Sequence, residues 1–179
     1  MANVLTRNIW NCASLGIISP GPVLVKAIAV QTTDVSQVFT LKWWDEDNPA
    51  VSKRAISYVA STSTDDTLTS AGNFPDTFLD GAVVKCLKTT GSDNGVYGLI
   101  QTAGSADAIV LWGSPFTAAV TTYVGDFDSY PTYTAFTATL PTLADSHGTV
   151  WFPFGGEGMM FPNLALDALT AGSIQIYVG

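Results

Sequence analysis

A serine or cysteine nucleophile needs an imidazole or an equivalent base within hydrogen-bond reach, and this chain has a single histidine. It is His147, in the run Asp145-Ser146-His147-Gly148. Consecutive side chains in a loop point apart, so these residues make no relay, and an exposed loop histidine is expected. A zinc site takes three or four His or Cys ligands; His147, Cys12 and Cys86 exhaust the supply. The two cysteines lie far apart, outside any C-x-x-C spacing, and read as free, buried thiols. Calcium prefers loop oxygens. Asp45-Glu46-Asp47, Asp65-Asp66 and Asp126-Phe127-Asp128 offer them, but without the spacing of a calcium loop. Glycoside hydrolysis needs two carboxylates across a cleft, and 15 acidic residues make some pair inevitable without marking one. Gly91-Ser92-Asp93-Asn94-Gly95 lacks the lysine and following helix of a phosphate loop and reads as a hairpin turn. The expectation is a non-enzyme with no catalytic residue, metal or cofactor.

Composition points the same way. Of 179 residues, 47% are apolar and only 12% charged, with short Thr, Ser, Ala and Gly side chains filling the difference. That is ample length for a core and too apolar for disorder. The net charge is −8, and the nearest approach to a basic cluster is Lys53-Arg54. Phosphate backbones need several converging cations, and anionic membrane surfaces would be repelled, so neither nucleic acid nor membrane is an expected partner. No apolar run is long enough for a membrane span. The first twelve residues, with no basic stretch before an apolar core, are not read as a signal peptide, and synthesis in a cytoplasm is expected.

The elements that would position any site are strands. Val23 to Val30 is rich in β-branched residues between Gly21-Pro22 and Thr32-Thr33-Asp34. In Gln37 to Trp44, Phe39, Leu41 and Trp43 alternate with Val38, Thr40 and Lys42, and the two runs are expected to pair as a hairpin. Asp45 to Pro49 breaks the pattern, Ala55 to Ala60 resumes it, and Ser61 to Thr69 reads as a polar loop. From Ala71 to Tyr133, glycine- and asparagine-rich turns separate short apolar runs at Ala82–Leu87, Val96–Gln101, Ala108–Trp112 and Ala118–Val124. Asn73 to Leu79 has room for one helical turn. Tyr133 to Leu140 alternates strictly. Thr149 to Phe154 holds a proline and belongs near an edge or bulge. Gly158 to Phe161, Leu164 to Leu169 and Ser173 to Val178 complete an all-β, antiparallel reading.

Two of these segments carry a resemblance. Pro22-Val-Leu-Val-Lys-Ala-Ile28 near the start and Leu169-Thr-Ala-Gly-Ser-Ile-Gln-Ile-Tyr-Val-Gly179 at the end are similar to patterns in small structural proteins of tailed-phage virions. The likeness covers Pro20 to Trp44 and Tyr133 to Gly179. It implies a jelly-roll-like β-sandwich over residues 20–179, with residues 45–131 as an insertion or elaboration. Residues 1–19, apolar and without regular periodicity, read as a preceding arm. The likeness further implies a virion component, made in the host cytoplasm, that decorates or cements the outer surface of a phage capsid. The partners would be the major capsid protein or other virion proteins, with the chain itself a trimer or dimer.

Aromatic residues are the expected contact groups. Alternation turns about half of them inward. Trp44 and the stretch Tyr123 to Tyr133, with Phe127 and Tyr130, are expected as surface anchors. Trp10 is expected to anchor the arm on a neighbouring sheet. A strand in the chain's own sheet is an equal alternative for that arm. Two other functions stay open: a tail, neck or fibre component, and a carbohydrate-binding β-sandwich module with stacked aromatics and bound calcium.

Overall fold

The computed structural model describes residues 4–6, 8–31, 36–61, 66–74, 78–103, 107–118, 121–140 and 148–179. His147, Asp65 and residues 32–35 of the expected hairpin turn lie outside them. Among the described residues the regular structure is entirely β. The strands are β1 (Val4–Thr6), β2 (Ile9–Cys12), β3 (Gly16–Ser19), β4 (Val23–Gln31), β5 (Gln37–Trp44), β6 (Val51–Ser61), β7 (Asp66–Thr69), β8 (Val83–Thr89), β9 (Tyr97–Ala103), β10 (Ala108–Leu111), β11 (Tyr123–Tyr130), β12 (Thr132–Leu140), β13 (Thr149–Pro153), β14 (Met159–Phe161), β15 (Leu164–Leu169) and β16 (Ile174–Val178). Residues 75–77 of the expected helical turn lie outside the described residues as well; across them the Phe78 N–H donates to the Phe74 carbonyl at 3.2 Å. The chain divides into two compact units, one of residues 1–43 with 133–179 and one of residues 44–132.

The outer unit consists of two sheets. One runs β1-β2-β16-β4-β13, with β14 continuing along β4; the other runs β12-β5-β15-β3. Strand alternation supplies their common core: Val23, Val25, Ile28 and Val30 from β4, Phe39 and Leu41 from β5, Leu164 and Leu166 from β15, and Ile174 and Ile176 from β16. Phe39 meets Phe136 and Phe152, from β12 and β13, at ring separations of 5.7 and 5.8 Å. The expected β4–β5 hairpin is therefore corrected. The two strands are consecutive in sequence but lie in different sheets. Each has one continuous apolar face, and facing the other sheet buries both; side-by-side pairing would leave them bare. The same holds for β15 and β16, which pair with β3 and β5 and with β2 and β4 respectively. The described residues of the expected arm include β1, β2 and β3, with β2 paired to β16 and β3 to β15.

The central unit closes on itself. Its strands run β10-β7-β6-β11-β8-β9, and β9 pairs back with β10 to complete a six-stranded antiparallel barrel. Reading this stretch as an elaboration of a sandwich missed the closure. Closure gives every strand two neighbours and removes the edges that an open sheet must protect. The segment read as a polar loop contains β7, whose Leu68 is buried. The barrel has its own core of Ile56, Tyr58, Leu68, Val84, Cys86, Ile100, Ile109, Leu111 and Phe127, with Phe74, Phe78 and Phe116 contributed by connections. Gly125 makes room for it: a Cβ there would stand 2.9 Å from the Phe127 ring and 3.0 Å from Tyr58.

Candidate interaction face

The acidic groups that offered chemistry act as clips. Arg54 Nη1 donates to Asp128 at 2.7 Å and to the Phe127 carbonyl at 3.1 Å. Asp126 accepts the N–H of Ala55 at 2.7 Å, steadying a residue whose φ of 51° is unfavourable for a side chain with a Cβ. These bonds span the register shift between β6 and β11, where the ladder loses regular pairing. Asp66 accepts the N–H of Phe116, and Asp93 accepts both the N–H and the hydroxyl of Thr117 at 3.1 and 2.8 Å. Asp45 caps the Asp47 N–H at 3.0 Å, and Glu46 pairs with Lys85 at 3.3 Å. Among the described residues, no three His, Cys, Asp or Glu side chains converge as a metal site.

Both cysteines are free and buried, Cys12 in the outer core and Cys86 in the barrel core. Burial pushes each thiol from 9.0 up to about 12, so the nucleophilic thiolate is scarce at neutral pH. Burial likewise lifts the Tyr58 and Tyr130 phenols to about 12.

The expected anchors are mostly interior. Trp44 and Phe127 are fully buried and Tyr130 is 2% exposed. Trp44 lies against Tyr97 at 5.9 Å, and Phe127 sits edge-on to Tyr58 at 4.9 Å. Tyr123 is half-buried beside Tyr58 and covers Gly91. Trp10 is half-buried against the outer core. For Phe127 and Tyr130 the physical reason is that the stretch taken for an exposed loop is β11, a barrel strand with a neighbour on each side, which leaves its inward residues buried. Trp44 ends β5 and is buried there against Tyr97.

Exposed apolar side chains gather elsewhere, on the outer face of the larger sheet. Trp151 on β13 is 53% exposed, because alternation sends Val150 and Phe152 to the core and Trp151 away from it. It lies opposite Ala29 of β4, and Tyr177 of β16 lies opposite Ala27. The small alanines let the two rings meet across β4, with centroids 5.0 Å apart. Ala29 is thereby covered and only 2% exposed. Tyr177 Oη donates to Gln175, whose amide donates to Asn11, fixing the ring's direction. Farther along β4, Met160 of β14 is 62% exposed opposite Leu24. The connection between β13 and β14 is pinned by Lys26, whose Nζ donates to the carbonyls of Gly156 and Glu157 at 3.2 and 2.7 Å. That ammonium is thus occupied, and the face presents Tyr177, Trp151, Pro153, Leu24 and Met160.

Large exposed apolar groups that lie together are unusual on a surface facing only water. Trp, Tyr and Met are also the residue types enriched where proteins meet. Trp151 is not among the anchors expected from the sequence. The signal was present: a tryptophan flanked by two core-type residues on a strand must point outward.

No family model, no curated protein and no solved structure matches the chain. Fold and face together define a class: an all-β antiparallel protein with a closed barrel and an exposed aromatic and methionine face.

Proposed function

We propose that this chain is a non-enzymatic structural protein of a tailed-phage particle, decorating or cementing the outer surface of the capsid through protein–protein contacts. In this reading the outer unit is a jelly-roll-like sandwich, and its exposed sheet face docks on the major capsid protein or another virion protein. The single observation that carries the reading is the Trp151–Tyr177–Met160 face, which is apolar, exposed and held by a rigid sheet. The resemblance of Pro22–Ile28 and Leu169–Gly179 to phage virion proteins supplies the choice of particle.

The mechanism is mechanical. A specific interface buries about 1,600 Å² in total, and an aromatic anchor near its centre carries a large share of the binding energy. Many copies across capsomer boundaries add that free energy repeatedly, so the shell resists outward pressure without any bond being made or broken. A short-side-chain, sparsely charged surface suits such packing because few ions must be desolvated.

Mass spectrometry of purified particles tests the location, and rebinding of purified protein to particles stripped of it tests the face. Wild type is expected in the particle and to rebind, and Trp151→Ala is expected to weaken rebinding at least about tenfold, the loss of an anchor residue. Absence from particles, or full rebinding by Trp151→Ala and Met160→Ala together, would overturn this assignment. Particle reconstruction distinguishes the capsid lattice from the tail, neck or fibre.

A further inference from the structure

Among the described residues the outer unit has four sheet edges, one of them shared by β13 and the 3-residue β14, and three of them are blunted. β1 has 3 residues, β3 has 4 and a register shift against β15, and β13 has 5 and ends at Pro153. Short strands, bulges and prolines are the devices by which sheets avoid pairing edge to edge. The fourth edge, β12, is neither short nor interrupted by proline. It runs 9 residues, Thr132-Tyr-Thr-Ala-Phe-Thr-Ala-Thr-Leu140, without proline, glycine or charge, and it ends the path β12-β5-β15-β3. From Ser129 to Ala144 the sequence contains no Asp, Glu, Lys or Arg.

We infer that β12 is a self-association edge, pairing antiparallel with β12 of a second copy of this chain about a two-fold axis. Three observations favour a second copy over another occupant. First, the strand is compatible with its own reversed image. In any register that keeps the faces matched, Tyr133, Thr137 and Thr139 meet their counterparts on one side and Phe136, Ala138 and Leu140 on the other. Threonine pairs and aromatic with β-branched pairs are favourable across strands. Second, a chain of net charge −8 repels its copies, and the charge-free stretch is where two copies can approach without opposing ions. Third, the blunted state of the other three edges leaves β12 no unlike edge of the outer unit to pair with. The contact is therefore isologous and closes at two copies instead of propagating a filament.

The geometry suits β-augmentation. Alternate residues of an antiparallel strand turn both N–H and C=O toward the neighbour, so two such strands exchange about eight main-chain hydrogen bonds. One end of β12 is already anchored in its own unit, because Ser36 Oγ donates to the Leu140 carbonyl at 3.0 Å. Thr137 is tied to Thr40 and to the Phe39 carbonyl at 3.1 and 3.2 Å. Thr134 and Thr139 are exposed.

Sedimentation equilibrium on the full chain, with amide hydrogen exchange at low and high protein concentration, tests this inference. The expected result is a reversible dimer with β12 amides protected more strongly as concentration rises. Thr134→Lys with Thr139→Lys is expected to weaken dimerisation at least about tenfold, since lysines on an edge strand are a device that blocks edge-to-edge pairing. Its circular dichroism should remain that of wild type. Trp151→Asp, on the face of the other sheet, is expected to leave the dimer intact, which separates this edge from the proposed capsid-binding face. A monomer at all concentrations, a trimer, a dimer indifferent to the lysines, or a dimer lost in Trp151→Asp would each overturn the inference.

Discussion

Replacing Phe127 by alanine separates two readings of one residue. On the sequence alone Phe127 belongs to an exposed, partner-seeking stretch, and truncation of such a side chain changes folding stability by no more than about 0.5 kcal/mol. In the barrel it is fully buried, with its ring edge-on to Tyr58 at 4.9 Å and to Phe74 at 5.6 Å, and tilted against Phe116 at 6.3 Å. Removing a buried phenylalanine costs about 3–5 kcal/mol through lost transfer energy and the cavity left behind. Aromatic pairs add about 0.5–1.5 kcal/mol beyond burial. Three such neighbours put Phe127→Ala at the upper end, about 4–5 kcal/mol. For a unit of this size that lowers the melting temperature by more than about 10 °C. Urea denaturation combined with amide exchange reads the effect directly. Amides of β6, β8 and β11 should lose protection, while those of β4 and β16, in the other unit, serve as the internal reference. Phe127→Leu, which keeps much of the apolar volume, should recover most of the loss. A cost below about 1 kcal/mol with unchanged β11 exchange would refute the burial argument.

Two further outcomes follow from the same packing. Gly158 has a φ of 79°, and a Cβ there would lie 2.6 Å from the Val25 carbonyl, so Gly158→Ala should destabilise the outer unit by about 1–3 kcal/mol; Gly156→Ala, with open space around it, is the neutral control in a thermal melt. At alkaline pH the sign is set by four buried groups, Cys12, Cys86, Tyr58 and Tyr130, all held at about 12 in the fold against 9.0 and 10.0 for ordinary thiols and phenols. Below pH 9 folded and unfolded chains both keep these protons and stability is intact. Above 9 the unfolded chain releases the thiol protons first, and above 10 the phenol protons as well, so stability falls by roughly 1.4 kcal/mol per pH unit for each titrating group until the folded form ionises near 12. Urea midpoints measured from neutral pH upward should decline across that window, and the native thiols should resist alkylation at neutral pH.

Strand existence was legible because the period-two alternation of β4, β5, β12 and β16 is written in residue types. Phe39 and Leu41 are core residues, and Pro153 does mark an edge. Pairing was not legible. A short polar turn between two half-apolar strands is compatible with a hairpin or with an arch between sheets, and only the competition for buried area chooses the arch. β7 was missed because Asp66-Thr-Leu-Thr69 has one apolar residue and is held in place by its barrel neighbours, β6 and β10. The anchors failed for a related reason. Trp44, Phe127 and Tyr130 have the composition of interface residues, and composition does not distinguish an interface from a barrel core.

What the sequence determined by itself is the kind of chain this is: all-β, sparsely charged, and with a single histidine and two isolated cysteines for reactive side chains. Those properties reside in residue identity and spacing, which folding cannot alter. The tertiary structure alone decided that the central stretch closes into a barrel, that consecutive strands separate into facing sheets, and that Trp151, Tyr177 and Met160 share one exposed face. Each of these depends on which distant strand lies beside which. That choice is made by the total apolar surface removed from water across the whole chain, a quantity no local pattern contains.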